Sequence, residues 1–491
     1  MINVRKEEKS PISPKIEEVE KFMKEHMGIG TSFDVGFRQF TVLDRKLDLY
    51  YVTGLCDTEY IIELMKQLME LDARQSRTKK TFEAVHEHLV HQQVETIDSM
   101  EKCITQILSG LVVIFVEGEK KAFVIDVRYY PGRTPQEPDT EKVVRGSRDG
   151  YTENIIENTA LTRRRIRDER LRHELIKVGK RSKTDICISY LEDVADPGLI
   201  KLIKEEIKKI DIDGLSMADK TVEEFIVRQG RNPFPLVRYT ERPDVAAAHL
   251  FEGHVLIMVD TTPSMIITPT TYFHHVQHAE EFRQSPLVGT FIRWIRFIGI
   301  FASVFLLPLW LLMVIEPSLL PQELSFIGPN EEGTVPVVIQ IILADIGIEF
   351  LRIAAIHTPT PLSTAMGLIA AVLIGQIAID VGMFIPEVIL YVAVAAIGTF
   401  ATPSYELSVA NKMSRLIIIL LTSFFAVKGF VIGFTLYTLM LARTNSLNTP
   451  YLWPLIPFNG KALQSIILRM TIPLTKIRPS IVHPQNNHRQ P

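Results

Sequence analysis

The chain has 491 residues, which points to several domains rather than one. Its 54 Lys and Arg against 57 Asp and Glu leave a net charge of −3, which excludes the basic footprint of a nucleic-acid-binding protein. Three scattered cysteines, Cys56, Cys103 and Cys187, exclude a disulfide framework and fit free, buried thiols in a reducing compartment.

The first residues, MINVRKEEKSPISPKIEE, lack an apolar signal core, so no cleaved secretory peptide is expected. Residues 1–35 read as a tail and lead-in. Up to about Arg293 the chain is polar, with short apolar runs. Helical periodicity marks residues 58–71 and 81–94. A hairpin follows, LVVIFV (111–116), a turn at Glu117-Gly118-Glu119, then AFVIDV (122–127). A related pattern returns at Gly253, with HVLIMVD, a turn at Thr261-Thr262-Pro263, and SMIITP. In both places a helix and a glycine precede a strand pair. This predicts two small α/β subdomains, 36–150 and 151–285.

Between the hairpins, a helix from about Glu153 carries Arg163, Arg164, Arg165 and Arg167. A solvated face with nearby Asp168, Glu169 and Glu174 is the plain reading; a subunit interface or anionic headgroups is the functional one. Arg242 and Asp244 are placed to brace a helix starting at Pro243.

Beyond Arg293 long apolar runs appear, and a membrane domain is expected over 286–442. Residues 297–314, 362–379, 384–402 and 416–442 read as spans. The last is interrupted by Lys428 and Gly429 and reads as one long tilted helix, with a break at Lys428-Gly429 as the alternative. Gly367, Ala371 and Gly375 form a small-residue ridge suited to helix packing or oligomer contacts. Residues 336–356 (PVVIQIILADIGIEFLRIAAI) are apolar yet carry Asp345, Glu349 and Arg352 at i, i+4 and i+7, within one stripe. Charged groups in hydrocarbon are costly and mark ion pathways or buried pairs. That segment reads as amphipathic or re-entrant. Arg283, Arg293 and Arg296 precede the first span, and Arg443, Lys461, Arg469, Lys476 and Arg478 follow the last. The positive-inside rule therefore puts the amino-terminal region and the basic tail, 443–491, in the cytosol.

No Walker A loop, dinucleotide fingerprint or serine elbow is present. HEHLVH (His86 to His91) fails the zinc-protease spacing. FHHVQH (His274, His275, His278) reads as a hydrated or interfacial cluster. No catalytic residue, metal or cofactor is expected, and an enzyme is the weaker class.

Residues 232–273 (NPFPLVRYTERPDVAAAHLFEGHVLIMVDTTPSMIITPTTYF) resemble the signature of spore germination receptor A subunits, the GerA family. So do 137–168 (EPDTEKVVRGSRDGYTENIIENTALTRRRIRD) and 374–416 (IGQIAIDVGMFIPEVILYVAVAAIGTFATPSYELSVANKMSRL). The resemblance covers nearly the whole chain. It implies an integral protein of the spore inner membrane with a cytosolic region of two α/β subdomains. It implies work during germination, when monovalent cations and dipicolinate leave the spore core. It further implies homo-oligomers around an ion-conducting pore, beside other membrane subunits.

Two functions are thereby in play. One is an oligomeric ion-channel subunit, with Asp345, Glu349, Arg352 and Lys428 as ion-pathway candidates. In that reading Asp345 and Glu349 repeat as carboxylate rings. Equally, Arg352 pairs with Glu349 and Lys428 with Asp345, and the stripe is a helix contact. The other function is a non-conducting scaffold or signalling subunit. A secondary transporter ranks third, because Lys428-Gly429 has no counterpart in the other half.

Overall fold

The computed structural model describes residues 10–71, 81–129, 141–330, 333–357 and 375–489. The chain divides into two compact units. The first comprises residues 1–228, 237–269 and 473–491, the second 229–236 and 270–472.

The first unit is built from one plan used twice. Helix α1 (Ile16–Met27) is followed by β1 (Val35–Val42), β2 (Arg45–Val52), α2 (Thr58–Met69), α3 (Thr81–His88), β3 (Val94–Ile97), α4 (Met100–Leu108), β4 (Val112–Val116) and β5 (Ala122–Ile125). The order then repeats as α5 (Ile155–Arg165), β6 (Leu171–Val178), β7 (Thr184–Leu191), α6 (Pro197–Lys208), α7 (Ala218–Val227), β8 (Arg238–Thr240), α8 (Pro243–Glu252), β9 (Val255–Val259) and β10 (Met265–Thr268). The two five-stranded sheets have matching orders, β1-β2-β4-β5-β3 and β6-β7-β9-β10-β8. The hairpin echo in the sequence is thus the visible part of a nine-element repeat.

Strand β4 reads as an unbroken apolar run because helices cover both faces of its sheet. Val113 and Phe115 point to α1 and α4, among Val19, Met23, Cys103 and Ile107. Val112, Ile114 and Val116 point to α2 and α3, among Ile61, Leu64, Leu68 and Val85. Helix α1 lies inside the segment that the sequence assigns to a lead-in. Its Ile16, Val19, Met23 and Met27 recur every three or four residues and are buried.

Asn154 caps α5 by accepting the Ile156 N–H at 2.9 Å. The solvated face expected for its arginines forms only in part. Arg163 is 1% exposed and donates to Asp34 through Nε at 2.9 Å. It also donates to the Asp168 and Leu171 carbonyls, both at 3.1 Å. Arg165 pairs with Asp149 at 2.6 Å, while Arg164 and Arg167 are exposed. Burial pushes the Asp34 carboxyl up, but Arg163 and His173 outweigh it and hold it at about 2. Burial pushes His173 down to about 4, despite Asp34 beside it. Arg242 braces α8 as expected, donating to both Asp244 carboxylate oxygens at 3.1 and 3.0 Å.

In the second unit, among the described residues, the helices Pro286–Ile315 and Tyr405–Arg443 are long and apolar enough to cross a bilayer. Pro386–Phe400 is shorter and apolar, and Val337–His357 carries the charged stripe. Gly398 lies against Gly299, and the Tyr391 ring sits 4.7 Å from that of Trp310. These two contacts make Pro386–Phe400 antiparallel to Pro286–Ile315. Gly299 and Gly398 carry no Cβ, which lets the two backbones touch.

The Tyr405–Arg443 segment is not one tilted helix. Ala426 has φ 49° and ψ −127°, which breaks it into limbs 405–425 and 427–443. The Tyr437 hydroxyl donates to Asn411 Oδ1 at 3.1 Å. A continuous helix would hold those residues about 39 Å apart at ~1.5 Å per residue. The limbs therefore fold back as a hairpin, with Gly433 against Ile418 and exposed Phe424 and Phe425 near the turn. The break falls two residues before the alternative site at Lys428-Gly429. Most of the 362–379 span, with Gly367 and Ala371, lies outside the described residues. A Cβ on Gly375 would meet nothing within 4 Å among the described residues.

Candidate functional site: a buried charge network

Asp345, Glu349 and Arg352 follow one another along Val337–His357 with spacings of four and three. Ser408, Lys412 and Arg415 have the same spacing on limb 405–425. Helices set antiparallel with matching stripes bring the residues together in register. Arg352 meets Ser408, Glu349 meets Lys412, and Asp345 meets Arg415. Ser404 starts the limb by accepting the Leu407 N–H at 3.3 Å.

The Arg415 guanidinium donates to Asp345 Oδ1 at 2.5 Å and to the Ser303 carbonyl at 2.6 Å. Both Asp345 and Arg415 are 1% exposed. Lys412 Nζ donates to the Asp345 carbonyl and to Glu349 Oε2, both at 2.8 Å. Arg352 pairs with Glu349 and donates to Ser408 Oγ at 3.1 Å. Its guanidinium also lies 4.8 Å from the Tyr405 ring centroid. Two carboxylates thus face three cations. Asp345 Oδ2 and Arg415 Nε are buried without a hydrogen-bond partner among the described residues.

The pairing of Glu349 with Arg352 agrees with the sequence reading. The pairing of Asp345 with Lys428 does not. Lys428 is exposed on the second limb, beyond the break at Ala426. Lys412 and Arg415 take its place because the first limb, not the second, packs its polar stripe against Val337–His357. The shared spacing of the two triplets was the available signal.

The histidine cluster has structural roles. His274 Nδ1 accepts the Thr271 N–H at 3.0 Å in a capping box. His278 Nδ1 accepts the Glu280 N–H at 3.2 Å. No grouping of three His, Cys, Asp or Glu suited to a metal ion occurs among the described residues. The network can hold charge inside an apolar bundle, and it offers no nucleophile and base in reacting geometry.

Residues 21–481 match the family model described as Bacillus/Clostridium GerA spore germination protein. The chain belongs to the GerA family. This GerA-family chain is 62% identical to stage V sporulation protein AF of Bacillus subtilis (strain 168), over 99% of both chains. It is 27% identical to spore germination protein KA of the same organism, over 94% of this chain and 86% of that one. Among solved structures it is similar to the N-terminal domain of the A subunit of the Bacillus megaterium spore germinant receptor GerK3. That likeness has 27% identity and a TM-score of 0.43, and covers 54% of this chain and 98% of the other. The GerA family thus supplies the biological setting, spore germination, in which the buried network has to be understood.

Proposed function

We propose that this GerA-family chain is a multi-span subunit of the spore inner membrane that acts in germination within an ion-conducting assembly of several copies. Other germination membrane subunits are its partners, monovalent cations its cargo, and dipicolinate release an indirect result. The observation that carries the reading is a five-residue charge network enclosed in an apolar helical bundle. Such groups are rare in membrane helices and usually serve transport or sensing.

The geometry favours a gate over a cation filter. A filter presents unpaired carboxylates, whereas Asp345 and Glu349 face three cations within one subunit. Two buried atoms of the network, Asp345 Oδ2 and Arg415 Nε, lack partners among the described residues. A partly satisfied network in low dielectric is held less firmly than a complete one. Opening the pairs is the step that admits ions.

The hairpin also supports an even crossing number. Counting its limbs as two passes, with 297–314, 336–356, 362–379 and 384–402 each crossing once, gives six. Both ends then lie in the cytosol, on the side of Arg293, Arg296 and the basic tail. This takes 336–356 as a full crossing rather than a re-entrant segment.

The test is ion flux through liposomes holding the purified protein, alone and with its partner subunits. Asp345→Ala and Glu349→Ala are expected to change conductance or gating. Unchanged conductance and selectivity in correctly assembled variants would remove the network from the pathway. A second reading, a non-conducting scaffold, is supported by the pairing of the network's carboxylates with Lys412, Arg415 and Arg352. Absence of conductance in every partner combination would select it.

A further inference from the structure

The last residues do not form a free tail. After Ile472 the chain leaves the helical unit, and residues 473–489 belong to the first unit. The segment closes on itself. The Arg478 N–H donates to the Asn487 carbonyl and the Arg489 N–H to the Lys476 carbonyl, both at 2.9 Å. It then docks beside the turn after β7 and the end of α8. The Gln485 N–H donates to the Val194 carbonyl at 2.9 Å. The Gln485 amide donates to the Glu192 and Ala195 carbonyls at 2.9 and 2.7 Å. Arg478 Nε reaches the Phe251 carbonyl at 2.7 Å, where α8 leaves carbonyls unsatisfied at its C-terminus. Arg489 pairs with Glu252 at 3.4 Å.

Ile481 and Val482 are buried at 4% and 2% exposure, and Pro484 is buried as well. Val482 sits over Gly253. A Cβ on Gly253 would come within 3.2 Å of Val482 Cγ2 and 3.4 Å of Val194 Cγ1, and its φ of 106° suits glycine. The second subdomain therefore keeps a shallow seat for this peptide.

We propose that this seat is a releasable docking site whose occupant is the chain's own C-terminal segment, a latch between the last membrane limb and the second α/β subdomain. Three buried apolar side chains oppose the ordering entropy of a much longer segment, and the polar contacts are largely at the surface. Docking is thus held by the tether, which keeps the segment at high effective concentration. A change in the helical unit reaches the second subdomain along the chain at residue 473, and the latch is the joint that yields. Its effect on germination rests on the membrane reading above; the docking itself does not.

The test is hydrogen exchange on the full-length protein in detergent. The Arg478, Gln485 and Arg489 amides are expected to exchange at least about tenfold slower than in a free peptide. Val482→Ser and, separately, the surface change Gln485→Ala should remove that protection while the amides of β9 stay protected. An excess of synthetic peptide 477–489 should release the resident segment. Free-peptide exchange rates in the unaltered protein would overturn the proposal, as would tail protection that survives both substitutions. Protection that depends on protein concentration would mean a neighbouring copy supplies the segment, and would overturn the intramolecular latch.

Discussion

Arg415 donates to Asp345 across 2.5 Å, joining residues 70 apart in sequence, and both are almost wholly withdrawn from solvent. Their charges are balanced against each other and against Lys412, so each residue sets the price of removing the other.

Arg415→Leu or Asp345→Leu alone is expected to destabilise the detergent-solubilised protein by about 3–5 kcal/mol, because each leaves a buried charge without its partner. The double change to Leu should lose much less. Thermal unfolding of both singles and the double gives the coupling energy, and additive losses would contradict the pairing.

Lys412 and Lys428 should behave differently, although both are lysines on the same broken helix. Lys412→Ala removes the contacts to Glu349 and to the Asp345 carbonyl, and should cost about 2 kcal/mol or more. Lys428→Ala touches an exposed side chain and should change stability by less than about 0.5 kcal/mol. A larger loss at Lys428 than at Lys412 would mean that the second limb supplies the partner after all.

Ala426 occupies a left-handed backbone conformation, φ 49° and ψ −127°, that costs a non-glycine residue on the order of 1–3 kcal/mol. Ala426→Gly is therefore expected to raise stability by about 1 kcal/mol, and Ala426→Val to lower it. A melting temperature lowered by glycine would indicate a continuous helix.

Asp48 lies on β2 at 0% exposure, and burial lifts its carboxyl to about 6. The folded state then binds this proton more tightly than the unfolded chain. Its stabilising contribution is complete below the ordinary carboxylate value and is lost as pH rises through about 6. Asp48→Asn should flatten the fall in stability between pH 4 and pH 7, measured by thermal unfolding across that range. Asp34, held at about 2, works in the opposite sense and weakens the fold only as the pH drops below the usual carboxylate range.

Much of the first unit was legible because local pattern carries it. The run at β4, the glycines after α4 and α8, and the Arg242–Asp244 brace each depend on residues close in sequence. Arg163 was misread for the opposite reason. Its neighbours Arg164 and Arg167 are solvated, and nothing local distinguishes it from them. What buries it is Asp34, 129 residues earlier. The long final helix was misread because an apolar run has one composition whether it continues or turns back. The turn is decided by one residue, Ala426, and by glycines whose missing side chains let the limbs touch.

By itself the sequence determined that two α/β segments precede an apolar region, that the chain resembles the GerA family, and that three charges share a stripe at 345, 349 and 352. Periodicity and hydropathy depend on neighbours a few residues away, so they survive without a structure. Only the tertiary structure decided that the two segments share one nine-element plan, that Lys412 and Arg415 rather than Lys428 meet the stripe, and that the C-terminal segment returns to the second subdomain. Each of those is a contact between distant residues, chosen by which surfaces pack and which backbones come close, and one-dimensional pattern does not encode it.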